Sequence, residues 1–348
     1  AHFERNFAKR VMVPAHARPA HHAMRKRLVD IAAWNETASV NSADDVRGDF
    51  AIITSGINFV HVREAVPDVP VLKLGCTWPL PLKRIAAFAA SFKRCMVIDE
   101  GDHWLAGQIR AAGITNVEAK PEMYRFGEMS VDRVRRIIAG DTSPEPAPMK
   151  GKPPALCPGC PHRTVYTALN ELGAIVPGDI GCYSLGVLPP FSAMDTLVCM
   201  GAGITAGLGM RHVLPEAEAR RCVSVIGDST FLHSGITGLV EMVYNRPATG
   251  HLVLILDNST TAMTGLQEHP GTGYLLNGEP APKIDLAAIA RGVGVEVVET
   301  IDMTPDDKRV KPAIERLLAL GKLCVLILRR PCILALKKHK EMAAAAAE

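Results

Sequence analysis

Apolar residues fall in short continuous runs along much of the chain, separated by stretches with helical spacing. The clearest case is residues 223–265. An apolar run from Val223 to Ile226 meets the tight turn Gly227-Asp228-Ser229-Thr230. Residues 235–244 then space their apolar positions as a helix does, and a second run, Leu252 to Leu256, closes on Asp257-Asn258. Buried parallel strands show as runs of this kind, so the stretch predicts a strand, a helix and a parallel strand. The same alternation appears earlier, with strands expected at 50–57, 69–74, 95–99 and 116–118 and helices at about 58–66, 82–92 and 104–112. An amphipathic helix is expected from about Arg25 to Trp34. The fold class that follows is α/β, with two doubly wound domains on mainly parallel sheets. They are expected at 1–139 and 156–336. A linker at 140–155 joins them, since the five prolines of residues 140–156 prevent regular structure. The Ala-rich tail, 337–348, is low in complexity and carries no expectation.

Composition narrows the function classes. A chain of 348 residues with 48% apolar and 22% charged residues is ordinary globular protein with room for two cores. A net charge of +3 and 5% aromatic residues argue against nucleic acid as a partner. No apolar run approaches about 18 residues, so no membrane span is expected, and no signal-peptide pattern opens the chain. Nine cysteines, an odd number, do not suggest a disulfide framework; a reducing, cytoplasmic setting is expected. His16, His21 and His22 lack the helical spacing of a zinc site and read as a solvated segment.

Candidate chemistry gathers at strand ends. Asp228 and Asn258 close two successive parallel strands, where open sheets bind ligands. A carboxylate and an amide oxygen there suit Mg²⁺, which usually keeps a substrate diphosphate as a further ligand. Gly227 lets backbone approach closely, and the following helix points free N–H groups at an anion. The plainer reading makes Asp228 a helix cap. Cys157-Pro-Gly-Cys160 admits redox, zinc or iron–sulfur chemistry. Zinc would want a second close pair, which is missing. Cys182 lies in a Gly-rich turn and Cys332 follows the apolar run 324–330; four thiolates of this kind would satisfy a [4Fe–4S] cubane. Cys76, Cys95, Cys199, Cys222 and Cys324 read as core residues. Residues 199–210 read as a small-residue helix. His162, Arg163 and His233 are candidate donors to an anionic substrate or diphosphate, and equally ordinary packed residues. The turn acids Asp99, Glu100 and Asp102 read as caps rather than catalysts.

The spacing of Gly227-Asp228-Ser229 and Asp257-Asn258 resembles the thiamine diphosphate signature, Gly-Asp-Gly followed one strand–helix unit later by Asn-Asn. Ser229 departs from it. The longer stretches HSGITGL and LDNSTTAMTG resemble one branch of the 2-oxoacid:ferredoxin oxidoreductases, the large subunit of indolepyruvate ferredoxin oxidoreductase. The resemblance implies a transketolase C-terminal-like domain followed by a domain that binds thiamine diphosphate and Mg²⁺. It implies Mg²⁺ on Asp228, Asn258 and the backbone oxygen of Thr260, and a [4Fe–4S] cluster on Cys157, Cys160, Cys182 and Cys332. Cofactor contacts are implied for Gly181, Cys182, Tyr183, Met200, Gly201, Gly227, Asp228, Ser229, Thr230, Asn258, Thr260, Ala262, Met263 and Thr264, with His233 and His162 as catalytic candidates. The implied reaction is oxidative decarboxylation of an aryl 2-oxoacid to an acyl-CoA, with electrons passed through the cluster to ferredoxin. A pyrimidine-binding domain or chain carrying the activating Glu, and a second subunit of beta or gamma type, are expected as partners. A family ferredoxin-like domain with its CxxCxxCxxxC runs is not found after Cys332. Two alternatives stay open: a non-oxidative 2-oxoacid decarboxylase, and a cofactor-binding subunit inactive without its partner.

Overall fold

The computed structural model describes residues 2–147, 151 and 153–338. Most of the tail expectation, from residue 339 on, and residues 148–150 and 152 of the linker lie outside the described residues. The chain divides into two compact units, Ala1–Pro148 and Met149–Glu348.

The first unit is built on five strands: β1 Ser42–Ala43, β2 Gly48–Ser55, β3 Val71–Leu74, β4 Phe92–Ile98 and β5 Val117–Ala119. Their order is β1-β3-β2-β4-β5, with β1 antiparallel at one edge and the rest parallel. Alternate residues of β2 enter different cores. Ala51 and Ile53 pack with Phe88 and Leu105, whereas Ile52 packs with Val62, Tyr124 and Val134. Helices therefore cover both faces, which is why the strands read as continuous apolar runs. Two boundaries differ from expectation. The helix expected at 82–92 ends at Ala89, because Phe92 already opens β4 opposite Gly48. The strand expected at 50–57 is Gly48–Ser55, stopped where Gly56 takes a φ of +55°. The expected amphipathic helix is longer, Pro14–Asn35, and buries only Asn35. That side chain donates to the carbonyls of Cys76 and Pro79 at 2.9 and 2.8 Å. The turn acids are structural. Asp99 meets buried Lys120 at 3.2 Å, Glu100 accepts from the Met129 amide at 3.3 Å, and Asp102 meets Arg125 at 2.6 Å.

The second unit carries four parallel strands, β6 Val223–Gly227, β7 His251–Asp257, β8 Val297–Asp302 and β9 Leu323–Arg329, in the order β6-β7-β9-β8. β6 and β7 are buried along their whole length. Val225, Leu254 and Leu326 pack with Tyr166 and Ile314 on one face; Ile226, Val253 and Ile327 pack with Ile204 and Leu239 on the other. Beyond β6 the segment at Ile175 and Pro177 extends the sheet, accepting hydrogen bonds from Val223 and Val225 at 2.8 and 3.0 Å. It delivers the loop that contains Cys182 to the edge where β6 and β7 end. Among the described residues, no helix is long and apolar enough to cross a membrane. All nine cysteines are free. Cys95, Cys222 and Cys324 are buried as expected, but Cys199 is exposed and Cys76 only partly covered, so these two are not core residues.

Candidate active site at the carboxyl edge of the second sheet

Register decides the site. Gly227 pairs with Leu256, so Asp228, Asp257 and Asn258 emerge together where β6 and β7 end. Asp257 is spoken for: it sits opposite Arg329 and takes its Nε at 2.8 Å. Asp228 is almost fully buried, and burial pushes its carboxyl pKa up. Its Oδ2 accepts from the Ser259 amide at 2.9 Å, while Nε2 of His269 lies 3.2 Å from the same oxygen. Ser259 reaches this position with a φ of +57°, a conformation uncommon for a non-glycine residue. Both contacts fall on Oδ2.

Asn258 is set by its neighbours. Its Nδ2 donates to Nε2 of His162 at 3.3 Å, and its Oδ1 accepts from the Thr260 amide at 3.2 Å. His162 is buried, and desolvation lowers its pKa to about 4, so it is the neutral ring that accepts. Its ring meets that of Tyr183 edge to face, 5.9 Å between ring centroids. The Tyr183 hydroxyl donates to the Ile180 carbonyl at 2.9 Å and lies 3.4 Å from Thr230 Oγ1. The ring lies so close to the turns that a Cβ on Gly227 or Gly181 would sit 2.5 or 2.4 Å from it. This is where the backbone needs glycine.

One cleft is lined by Gly181, Cys182, Tyr183, Met200, Gly227, Asp228, Ser229, Thr230, Asn258, Thr260, Ala262, Met263 and Thr264, with Ile180 and Thr261. The structure thus gathers every expected cofactor contact except Gly201. Gly201 is the left-handed N-cap of the Ala202–Val213 helix, φ +91°, so this helix starts three residues later than its sequence suggests. A second cavity is lined by Cys157, Cys160, Cys182 and Cys332, with Leu156, Leu185, Ile333 and Leu334 among its apolar wall. Burial raises the Cys160 pKa to about 11 and also raises that of Cys182, with the other cysteines adding to both. Among the described residues, no three His, Cys, Asp or Glu side chains converge on a single ion. A cubane asks for something different, one thiolate at each of four corners. The two cavities share Cys182, Asn258 and Ala262. The Cys332 amide donates to the Asn258 carbonyl at 2.8 Å.

Other expected donors lie elsewhere. His233 is exposed, in a π-helical turn, Phe231–Gly235, and lines neither cavity. Arg163 turns away from the cleft. Its guanidinium donates to the Leu156 carbonyl at 3.0 Å and stacks over Phe191 at 5.1 Å. Two residues were not anticipated. Asp179 is fully buried and accepts from the amides of Ile180, Gly201 and Gly203 at 2.8 to 2.9 Å, clamping the Cys182 loop to the helix start. Its signal was the Gly178-Asp179-Ile180-Gly181 turn. His269 lies in a loop without periodicity, and only the fold brings it to Asp228.

A parallel sheet whose carboxyl edge offers Asp228 and Asn258 beside a glycine-lined cleft has the form of the cofactor half of a thiamine diphosphate enzyme. Residues 179–328 match the thiamine pyrophosphate enzyme, C-terminal TPP binding domain. More particularly, the chain is similar to the IorA subunits of indolepyruvate oxidoreductase. It is 38% identical to that of Methanothermobacter marburgensis, over 95% of this chain and 57% of the relative. It is 36% identical to that of Archaeoglobus fulgidus, over 95% of this chain and 56% of the relative. The chain therefore spans little more than half the length of these relatives. A solved structure, 2-oxoglutarate:ferredoxin oxidoreductase from Magnetococcus marinus, aligns with 53% of this chain and 66% of its own at 20% identity and a TM-score of 0.42. That likeness is too remote to bear on activity.

Proposed function

We propose that the chain holds the cofactors of an oxidoreductase that decarboxylates an aryl 2-oxoacid of the indolepyruvate type. In this reading the acyl group goes to coenzyme A, and the electrons pass through a [4Fe–4S] cluster to ferredoxin. The carrying observation is the wall common to the two cavities, Cys182, Asn258 and Ala262. A non-oxidative decarboxylase would need the Asp228 cleft but has no use for four cysteines beside it. The relatives, subunits of indolepyruvate oxidoreductase, support the aryl substrate and a partner subunit.

The donor set fits the cofactors. Asp228, Asn258 and the backbone oxygen of Thr260 are hard oxygens for Mg²⁺, few enough to leave room for diphosphate and water. Asp228 is buried beside Asp257, and a cation relieves the cost that raises its pKa. Thiamine diphosphate, when bound, supplies the carbanion stabilisation that decarboxylation requires. The protein's own part is placement. Amides of the 228–230 turn and the hydroxyls of Ser229 and Thr230 suit the diphosphate. Neutral His162 turns the Asn258 amide so that its oxygen is kept for the metal. Met200, Ala262 and Met263 give the cleft apolar surface that excludes water. On binding iron the four thiols would release their protons to solvent, and the metal charge would offset the burial that raises the pKa of Cys160 and Cys182. A pyrimidine-binding domain or chain brings the activating carboxylate. The nine free cysteines fit a reducing, cytoplasmic compartment.

The test is iron and acid-labile sulfide in anaerobically purified protein. About four irons per chain are expected, and Cys182→Ala and Cys332→Ala should each lower that content. Iron-free protein that stays colourless after anaerobic reconstitution would overturn the redox part of the reading.

A further inference from the structure

We infer that His269 is a positioning residue for Asp228, and that it sets the affinity of the cation site by holding Oδ2 so that Oδ1 faces the ion. The inference rests on the proposed role of Asp228 as a cation ligand. His269 reaches the site from a loop outside the cleft, with its side chain 7% exposed. Its tautomer is defined locally. The Gly271 amide donates to Nδ1 at 3.1 Å, so the ring proton sits on Nε2, the nitrogen that faces Asp228. The turn that allows this is tight: Thr272 donates to the His269 carbonyl at 2.9 Å through both its amide and its hydroxyl. A Cβ on Gly271 would lie 2.8 Å from the imidazole.

The Nε2 donor is only partly used. It lies 3.2 Å from Oδ2 but off the line of a hydrogen bond, and no other acceptor meets it. A buried donor left in that state costs free energy. A carboxylate drawn taut by a cation offers it a fixed acceptor. His269 and the Ser259 amide then hold one oxygen from two directions, and the carboxylate can rotate neither toward Asp257 nor out of the cleft. Outer partners of this kind typically change metal affinity 10–100-fold when removed.

The experiment is calorimetric titration of Mg²⁺ into the full chain with saturating thiamine diphosphate. Wild type is compared with His269→Leu, which fills the space without a donor, and with His269→Gln, which returns an N–H at similar reach. His269→Leu should weaken Mg²⁺ binding by about 10–100-fold, with iron content unchanged, and His269→Gln should recover most of the loss. Leu binding within about twofold of wild type overturns the inference, as does Gln weakened as much as Leu. If Leu does not fold, Gln against wild type decides alone: near-wild-type affinity supports a donor role, and a tenfold loss removes it. Wild type that binds no Mg²⁺ under these conditions instead removes the cation reading of Asp228, and the role of His269 with it.

Discussion

In the first unit the carboxylate that follows β4, Asp99, meets the ammonium of Lys120 at 3.2 Å, and Lys120 also donates to the carbonyls of Asp99 and Gly101 at 2.7 and 2.8 Å. In the second, the carboxylate that follows β6, Asp228, has no lysine or arginine beside it among the described residues, only His269 and a neighbouring acid. The two sheets share parallel strands, both faces covered by helices, and an acid at the same kind of strand end. They differ in whether the chain supplies the counter-charge. A buried carboxylate with an internal cation is finished structure. One without it suits the proposed cation site, and burial raises its pKa. Position in the fold marks both as candidates; the partner separates them.

Three changes test that contrast. The largest effect is expected at the finished pair. Lys120→Met keeps the packed stem but strands Asp99, and should destabilise the first unit by about 3–5 kcal/mol. Denaturant unfolding measures this, and thiamine diphosphate binding by the folded variant should stay unchanged. Coupled losses in both would mean that the two acids are not independent. Next comes Asp228→Ala. Losing a direct ligand should weaken Mg²⁺-dependent thiamine diphosphate binding beyond the about 100-fold upper range of an outer partner, or about 2.7 kcal/mol. Iron content should stay intact, and unchanged affinity by calorimetry would remove the metal assignment. The smallest effect concerns a group far from the cleft. His251, at the opposite end of β7, is fully buried, with Nε2 2.8 Å from Ser224 Oγ, and burial lowers its pKa well below 6.5. The unfolded chain therefore takes up a proton that the folded one refuses. Stability is full above pH 6.5 and declines as pH falls below it. His251→Gln should flatten the dependence of the melting temperature on pH in that range, and an unaltered slope would show that other groups carry it.

Much of the second unit was legible, for a physical reason. β6 and β7 are buried on both faces, so they must be continuous apolar runs, and polar residues can begin only where the strands end. That alone places Asp228 and Asn258 on one edge. The cysteine set, 25 positions from Cys157 to Cys182 and a further 150 to Cys332, was read from the CxxC pair and the family resemblance, and all four line one cavity. What stayed hidden depends on loops and fine register. His269 has no periodic neighbours. His233 seemed close to Asp228 in sequence, but the π-helical turn at Phe231–Gly235 leaves it exposed. Arg163 follows His162 directly, yet adjacent helix positions point about 100° apart, so only His162 faces Asn258. In the first unit Phe92 has apolar character suited to helix or strand, and its pairing with Gly48 settled the matter.

The hydrogen bond from the Cys332 amide to the Asn258 carbonyl ties together the proposed cluster and cation sites. It makes the last cysteine and the proposed metal ligand neighbours through one hydrogen bond, each just past a strand of the same sheet, where the β7–β9 ladder ends. In the proposed enzyme, a cluster ligand and a cation ligand would then be held at a fixed separation by the sheet itself.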